Sequence, residues 1–175
     1  MILIGIDNGV SGQIGVVYPI GDVELYHTPV MKLLHYTKQK QYFTRIDTVA
    51  LESIFTHIRG RNEVLNNNLE PAFILLERPM VNPMRFKATE SALRAYEATL
   101  IVMERLKIGY RVIDSKEWQK KILPEGLKGK ELKKASLDVG KRTFPKVDFT
   151  GFDDADGLLL AFYGRSLYAL PIQKP

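Results

Sequence analysis

The chain has no cysteine among its 175 residues. Disulfide frameworks and zinc–thiolate sites are therefore excluded. Histidine is scarce too. His27, His35 and His57 are scattered without metal-ligand spacing and read as ordinary residues. No apolar run reaches the length that crosses a bilayer, so no membrane partner is expected. The opening stretch MILIGIDNG meets an acid at position seven, too soon for a signal peptide. A cytoplasmic protein is expected. There is one tryptophan, Trp118, read as buried packing rather than a base-stacking platform.

What is present is a globular composition. The apolar fraction is 45%, with eight Phe and eight Tyr, enough for a real core in a single domain spanning residues 1–175. The net charge is +5, and the excess is local. Between Lys116 and Lys146 there are ten lysines and arginines against four acids. Such a stretch on an otherwise balanced chain suggests a polyanion partner, with nucleic acid the leading candidate.

The hydrophobic pattern lays out the elements. ILIGID (2–7), QIGVVY (13–18) and VELYHTPV (23–30) are three apolar, β-branched runs separated by the tight turns NGVSG and PIGD. They predict an antiparallel meander. Residues 31–45 lack a period and read as loop. Apolar positions from Ile46 to Ile58 keep helical spacing, and NEVLNNNLEP breaks that helix. AFILLE (72–77) reads as a strand buried on both faces. RPMVNPMRF holds two prolines and is irregular. A long helix is predicted over 87–107, a strand over 110–114, and a short helix from Ser115 as its cap. A basic helix over 131–144 and a final helix from the acidic cluster DFTGFDDADG complete the chain. This order predicts an α/β fold: a mixed five-stranded sheet, meander plus parallel strands, with helices on both faces.

Two predicted strands end on acids, Asp7 and Glu77. In open α/β sheets, sites lie beyond the strand ends. If the first and fourth strands are parallel neighbours, these acids meet there. The acidic start of the last helix supplies more. Asp153 and Asp156, spaced i, i+3, would share a helix face, whereas Asp154 would point about 100° away and cap or meet solvent. Four carboxylates without a cation among them repel. A divalent ion resolves the conflict, and Mg²⁺ prefers oxygen ligands. Two such ions about 4 Å apart suit phosphodiester hydrolysis. The alternative is that each acid simply ends a strand or caps a helix.

GIDNGVSGQIGVV, FILLERP and DDADGLLLA resemble, in that order and spacing, the three acidic motifs of the RuvC family of Holliday junction resolvases, within the RNase H-like nuclease superfamily. The resemblance spans roughly residues 1–167. It implies an RNase H-like fold and places the catalytic, metal-holding acids on Asp7, Glu77, Asp153 and Asp156. It also implies two Mg²⁺ or Mn²⁺ ions, branched DNA as substrate, products with 5′-phosphate and 3′-hydroxyl ends, a homodimer packed through the long helix, and no small-molecule cofactor. KKASL resembles the family's lysine-bearing helix that approaches the scissile phosphate, which puts that role on Lys134. Two departures stand out. The junction-centre aromatic of bacterial members is replaced by Met80, with Phe86 the nearest aromatic, and the family's glycines in the long helix are largely alanine or larger. They suit a phage-type or otherwise divergent member, working in a host's cytoplasm if phage-encoded.

Salt-dependent phosphate contacts are expected from Lys134, Lys130, Lys133, Lys120 and Lys121, and from Arg78 and Arg85 on the proline loop, with Phe86 beside them. Three other readings compete: an actin-like or sugar-kinase ATPase fragment, suggested by GIDNGVSG; a nuclease of the same fold acting on forks, three-way junctions or RNA–DNA hybrids; and a non-catalytic DNA-binding module.

Overall fold

The computed structural model describes residues 1–19, 21–34, 41–66 and 71–168. His35 lies outside the described residues, as do residues 67–70 of the segment expected to break the first helix.

The centre is a five-stranded mixed sheet. Its strands are β1 (Ile2–Ile6), β2 (Gln13–Val17), β3 (Val23–His27), β6 (Ala72–Glu77) and β7 (Gly109–Ile113), in the order β3-β2-β1-β6-β7. β1 pairs antiparallel with β2, and β2 with β3, which is the expected meander. β1 and β6 run parallel, as do β6 and β7.

The helices are α1 (Thr48–Asn66), α2 (Phe86–Arg105), α3 (Ser115–Ile122), α4 (Gly129–Thr143) and α5 (Asp156–Tyr168). α1 therefore continues into the asparagine-rich stretch that was expected to end it. Asp114, rather than Ser115, caps α3, accepting from the Lys116 amide at 2.9 Å.

The stretch read as loop over 31–45 is not irregular throughout. β4 (Val30–Leu34) and β5 (Tyr42–Ile46) form a separate antiparallel ribbon that packs on α2. Both strands are only half-buried and carry charged residues, so they lack the clean alternation that marks a strand.

Strand parity sorts the core into two layers. Ile2, Ile4 and Ile6 of β1, with Ile74 and Leu76 of β6, pack against α1 and α2. Leu75, with Val17 of β2, faces the other way, toward α3, α4 and α5. The helix α5 is the innermost. Leu158, Leu159, Leu160 and Ala161 are all fully buried, so the first turns of the helix are enclosed on every side, while Phe162 and Arg165 further along are exposed. It lies directly on a glycine saddle. Gly5 and Gly15 are cross-strand partners in β1 and β2. A Cβ on Gly5 would collide with the Gly157 carbonyl and the Ala161 amide, and one on Gly15 with the Leu158 backbone. Side-chain-free strands allow the helix backbone to touch the sheet, and this contact sets where α5 begins.

Candidate active site

The β1–β6 register ends with Ile6 opposite Leu76. Continuing it by one residue sets Asp7 against Glu77, on neighbouring parallel strands about 4.8 Å apart. The Asp7 amide still donates to the Gln13 carbonyl at 3.0 Å, so the ladder continues through that residue. Parity aims both acids at the α5 layer, because Gly5 and Leu75, two residues earlier, face it. The expected meeting of the first and fourth strands of the main sheet is therefore realised.

The acidic loop approaches the same point from above. α5 starts at Asp156, so Asp153 precedes the helix and cannot share a helix face with it. Asp153 is exposed. Asp154 is 4% exposed and turns inward. Its Oδ1 accepts from Gln13 Nε2 at 2.6 Å and from the Asp156 amide at 3.3 Å, and its Oδ2 accepts from Lys133 Nζ at 2.8 Å. Gln13 Nε2 also reaches the Asp154 carbonyl at 2.8 Å, which ties the start of β2 to the loop. Of the expectation that Asp154 caps or meets solvent, the capping holds, through the Asp156 amide, but the side chain is buried, while Asp153, expected to share a face with Asp156, is exposed. Neighbouring residues in extended chain point to opposite sides, so the helical period does not apply before the helix starts.

Asp156 is held by Ser136 of α4, whose hydroxyl donates to Oδ1 while its oxygen accepts from the Ala155 amide at 3.1 Å. Glu77 is held by Trp118, whose Nε1 donates to Oε2 at 3.0 Å. Trp118 is fully buried, as expected, but also touches the site. The acids perturb one another. Burial, then the charges of Glu77, Asp156 and Asp154, push the Asp7 carboxyl well above the usual carboxylate range, while Lys133 opposes the rise. Glu77 is pushed up to about 7, chiefly by burial, with the Trp118 hydrogen bond pulling the other way and Asp156 adding to the rise. Asp156 is pushed up to about 6 by burial and by Asp154, against Ser136 and Lys133. The hydrogen bond to Asp154 raises the Lys133 ammonium in turn.

Lys133, not Lys134, is the cation that faces the acids. Lys120 and Lys121 are exposed on α3, and Lys130 and Lys134 on α4, away from the hydrogen bonds of the cluster. Lys120 and Lys116 line a cleft of about 540 Å³ between these helices, together with Lys128 and Leu132. On the proline loop Arg78 pairs with Asp114. Arg85 is exposed, and Met80, Met84 and Phe86 are 81%, 92% and 72% exposed, an apolar rim beside the strand ends. Of the histidines, His27 stacks on Phe152 with ring centroids 3.9 Å apart, and His57 is exposed on α1. Sequence reasoning missed Gln13, Ser136 and the role of Trp118. Each lies far from its partner in the chain, and no local pattern announces it.

Among the described residues, no three carboxylates or histidines are closed into a cage ready for a metal ion. The donor set nevertheless fits one. It is all oxygen, its charges are opposed by burial and by one another, and among the described residues a single ammonium, that of Lys133, faces it. A hard divalent cation would relieve both strains.

The sheet order and the acids beyond its parallel strand ends define an RNase H-like α/β fold. More narrowly, the fold is RuvC-like. It matches the structure described as T. thermophilus RuvC in complex with Holliday junction substrate, with a TM-score of 0.54 and 14% identity, over 97% of this chain and 94% of that one. A second Thermus thermophilus RuvC structure aligns with a TM-score of 0.48 and 16% identity, over 97% and 95% of the two chains. No protein-family model and no curated protein matches the sequence. Among the described residues no helix is long and apolar enough to cross a membrane.

Proposed function

We propose that the chain is a divalent-metal-dependent endonuclease that cleaves branched DNA, four-way junctions above all. One observation carries the reading: on a RuvC-like fold, Asp7 and Glu77 end adjacent parallel strands and face Asp156 and Asp154, with burial opposing the ionisation of Asp7, Glu77 and Asp156.

Asp7, Glu77 and Asp156 would hold the metal, and Asp154, by its inward position, is favoured over Asp153 for the fourth place. Two divalent ions bound there would supply an activated water and stabilise the leaving oxygen of a phosphodiester. The chain's own residues do the rest. Ser136, Gln13 and Trp118 fix the orientation of the acids. Lys133 keeps one positive charge at the edge of the cluster, where it can meet a phosphate once released from Asp154. The exposed Lys120, Lys121, Lys130 and Lys134, with Arg78 and Arg85, would neutralise backbone phosphates and position the arms. Met80 and Phe86 stand exposed where a branch point would open, and offer apolar surface to unpaired bases.

A twofold dimer would match the symmetry of a four-way junction. Leu93 and Ile101 support this. They are exposed and recur two turns apart along α2, a stripe suited to a second copy.

The test is cleavage of labelled four-way, forked and linear DNA with Mg²⁺, Mn²⁺ or EDTA, beside Asp7→Asn. Paired metal-dependent nicks near the branch point, lost in the variant, are expected. Equal cutting of forks would widen the substrate to branched DNA in general. Tight binding without cleavage under any condition would overturn the enzymatic reading and leave a DNA-binding module.

A further inference from the structure

Trp118 is the single tryptophan of the chain and is fully buried. It belongs to the cluster that includes Leu75, Ile113, Leu123, Phe149 and Leu159, and any large apolar ring would satisfy that packing. A buried indole also needs an acceptor for its N–H. Here the acceptor is the strand-end acid Glu77, at 3.0 Å.

The contact is built by the chain between them. Glu77 pairs with Ile113 where the sheet ends. The next residue, Asp114, caps α3, and one turn later Trp118 is carried back across the strand ends. The Arg78 amide donates to the Ile113 carbonyl at 2.8 Å, and the Arg78 side chain pairs with Asp114. The backbone on both sides of the contact is therefore tied. Among the described residues, no donor other than the indole reaches the Glu77 carboxylate, so Oε1 is left unbonded.

We infer that Trp118 is a positioning residue for the metal centre: its N–H clamps Oε2 of Glu77 and thereby presents Oε1 to a divalent cation. The inference rests on the metal-centre reading above. A glutamate side chain has several rotatable bonds, and ordering it opposes ligand binding. A buried indole that fixes the carboxylate beforehand removes that cost from the binding step. Because no other tryptophan is present, the same contact makes the indole an optical reporter of the site.

The experiment follows Mg²⁺ and Ca²⁺ binding to the full chain at pH 8 by calorimetry and by tryptophan emission. The emission of the unaltered protein should change and saturate together with the heat, and in Glu77→Gln it should no longer respond. Trp118→Phe keeps a packed ring but removes the N–H, and should weaken calorimetric affinity about tenfold or more. Phe144→Leu, a change in the same cluster where the ring packs on Phe162 rather than on the acidic loop, should lower thermal stability and leave metal affinity alone. Unchanged affinity in Trp118→Phe, or emission that ignores bound metal, would overturn the positioning role while the metal centre stands. No metal binding by the unaltered protein would sink the centre itself and the positioning with it. If Trp118→Phe fails to fold, the emission of the unaltered protein against that of Glu77→Gln decides alone.

Discussion

Replacing Glu77 by glutamine should stabilise the metal-free protein, and the gain should depend on pH. The Glu77 carboxyl titrates at about 7 in the folded chain against 4.5 when unperturbed, chiefly because burial disfavours its charge. Each pH unit of that rise corresponds to about 1.4 kcal/mol. A rise from 4.5 to about 7 therefore costs the folded state about 3 kcal/mol once the group is ionised in both states. The sign is opposite to that of a salt-bridged carboxylate. Below pH 4.5 the group is protonated folded and unfolded, and there is no penalty. The penalty grows as pH rises through the window from 4.5 to about 7, and above it is complete. A glutamine amide is still a buried polar group, so the net gain at pH 8 should be nearer about 2 kcal/mol. For a chain of this size that is roughly 4–8 °C in melting temperature. Thermal unfolding in EDTA at pH 4.5, 6 and 8 measures it. The variant should match the parent at the lowest pH and exceed it at the highest. Excess Mg²⁺ should raise the parent at pH 8 and leave the variant nearly unmoved. A variant less stable than the parent at pH 8, or a difference that ignores pH, would refute the account of Glu77 as a charge held against burial.

Other predictions concern the neighbours of that acid. Asp154→Asn should reduce junction cleavage by about a hundredfold or more and Asp153→Asn by much less, measured in single-turnover assays. The reverse order would mean that the loop before α5 turns over when metal binds. Lys133→Met should slow cleavage at saturating DNA, whereas Lys134→Met should mainly weaken binding and flatten its salt dependence, read as the slope of log affinity against log salt. Gly15→Ala should destabilise the fold by about 2 kcal/mol or more, because the methyl meets helix backbone that cannot step aside. The urea midpoint reports this, and a change under about 0.5 kcal/mol would contradict the saddle.

Much of the architecture is legible because each strand of the main sheet announces itself. ILIGI and AFILL are short, apolar on both faces and end on acids, so parallel neighbours would bring Asp7 and Glu77 together. The sheet order meets that condition. The β4–β5 ribbon is hidden because its strands expose Val30, Leu34 and Tyr42 and carry Lys32 and Arg45, so burial and hydrophobicity do not alternate together. The choice between Asp153 and Asp154 fails for a different reason. It depends on where α5 starts, and α5 starts where the glycines of β1 and β2 let its backbone come down, a fact recorded at Gly5 and Gly15 rather than in the acidic loop. Lys133 and Lys134 are likewise adjacent in a basic run, and only the packing of α4 beside the Asp154 loop tells them apart.

The saddle has a consequence for how the protein comes into being. β1 is made before every other described element, and its counterpart α5 after all of them. Until Gly157 settles onto Gly5 and Gly15, the inner strands lack half their cover and Asp7 has no Asp156 beside it. Closing contacts so distant in sequence is slow, and a nascent chain cannot close them at all until the distal partner has been translated. Asp7 and Glu77 can therefore be synthesised and paired well before the cluster they belong to exists. The order of synthesis keeps the centre incomplete until the fold around it is nearly finished.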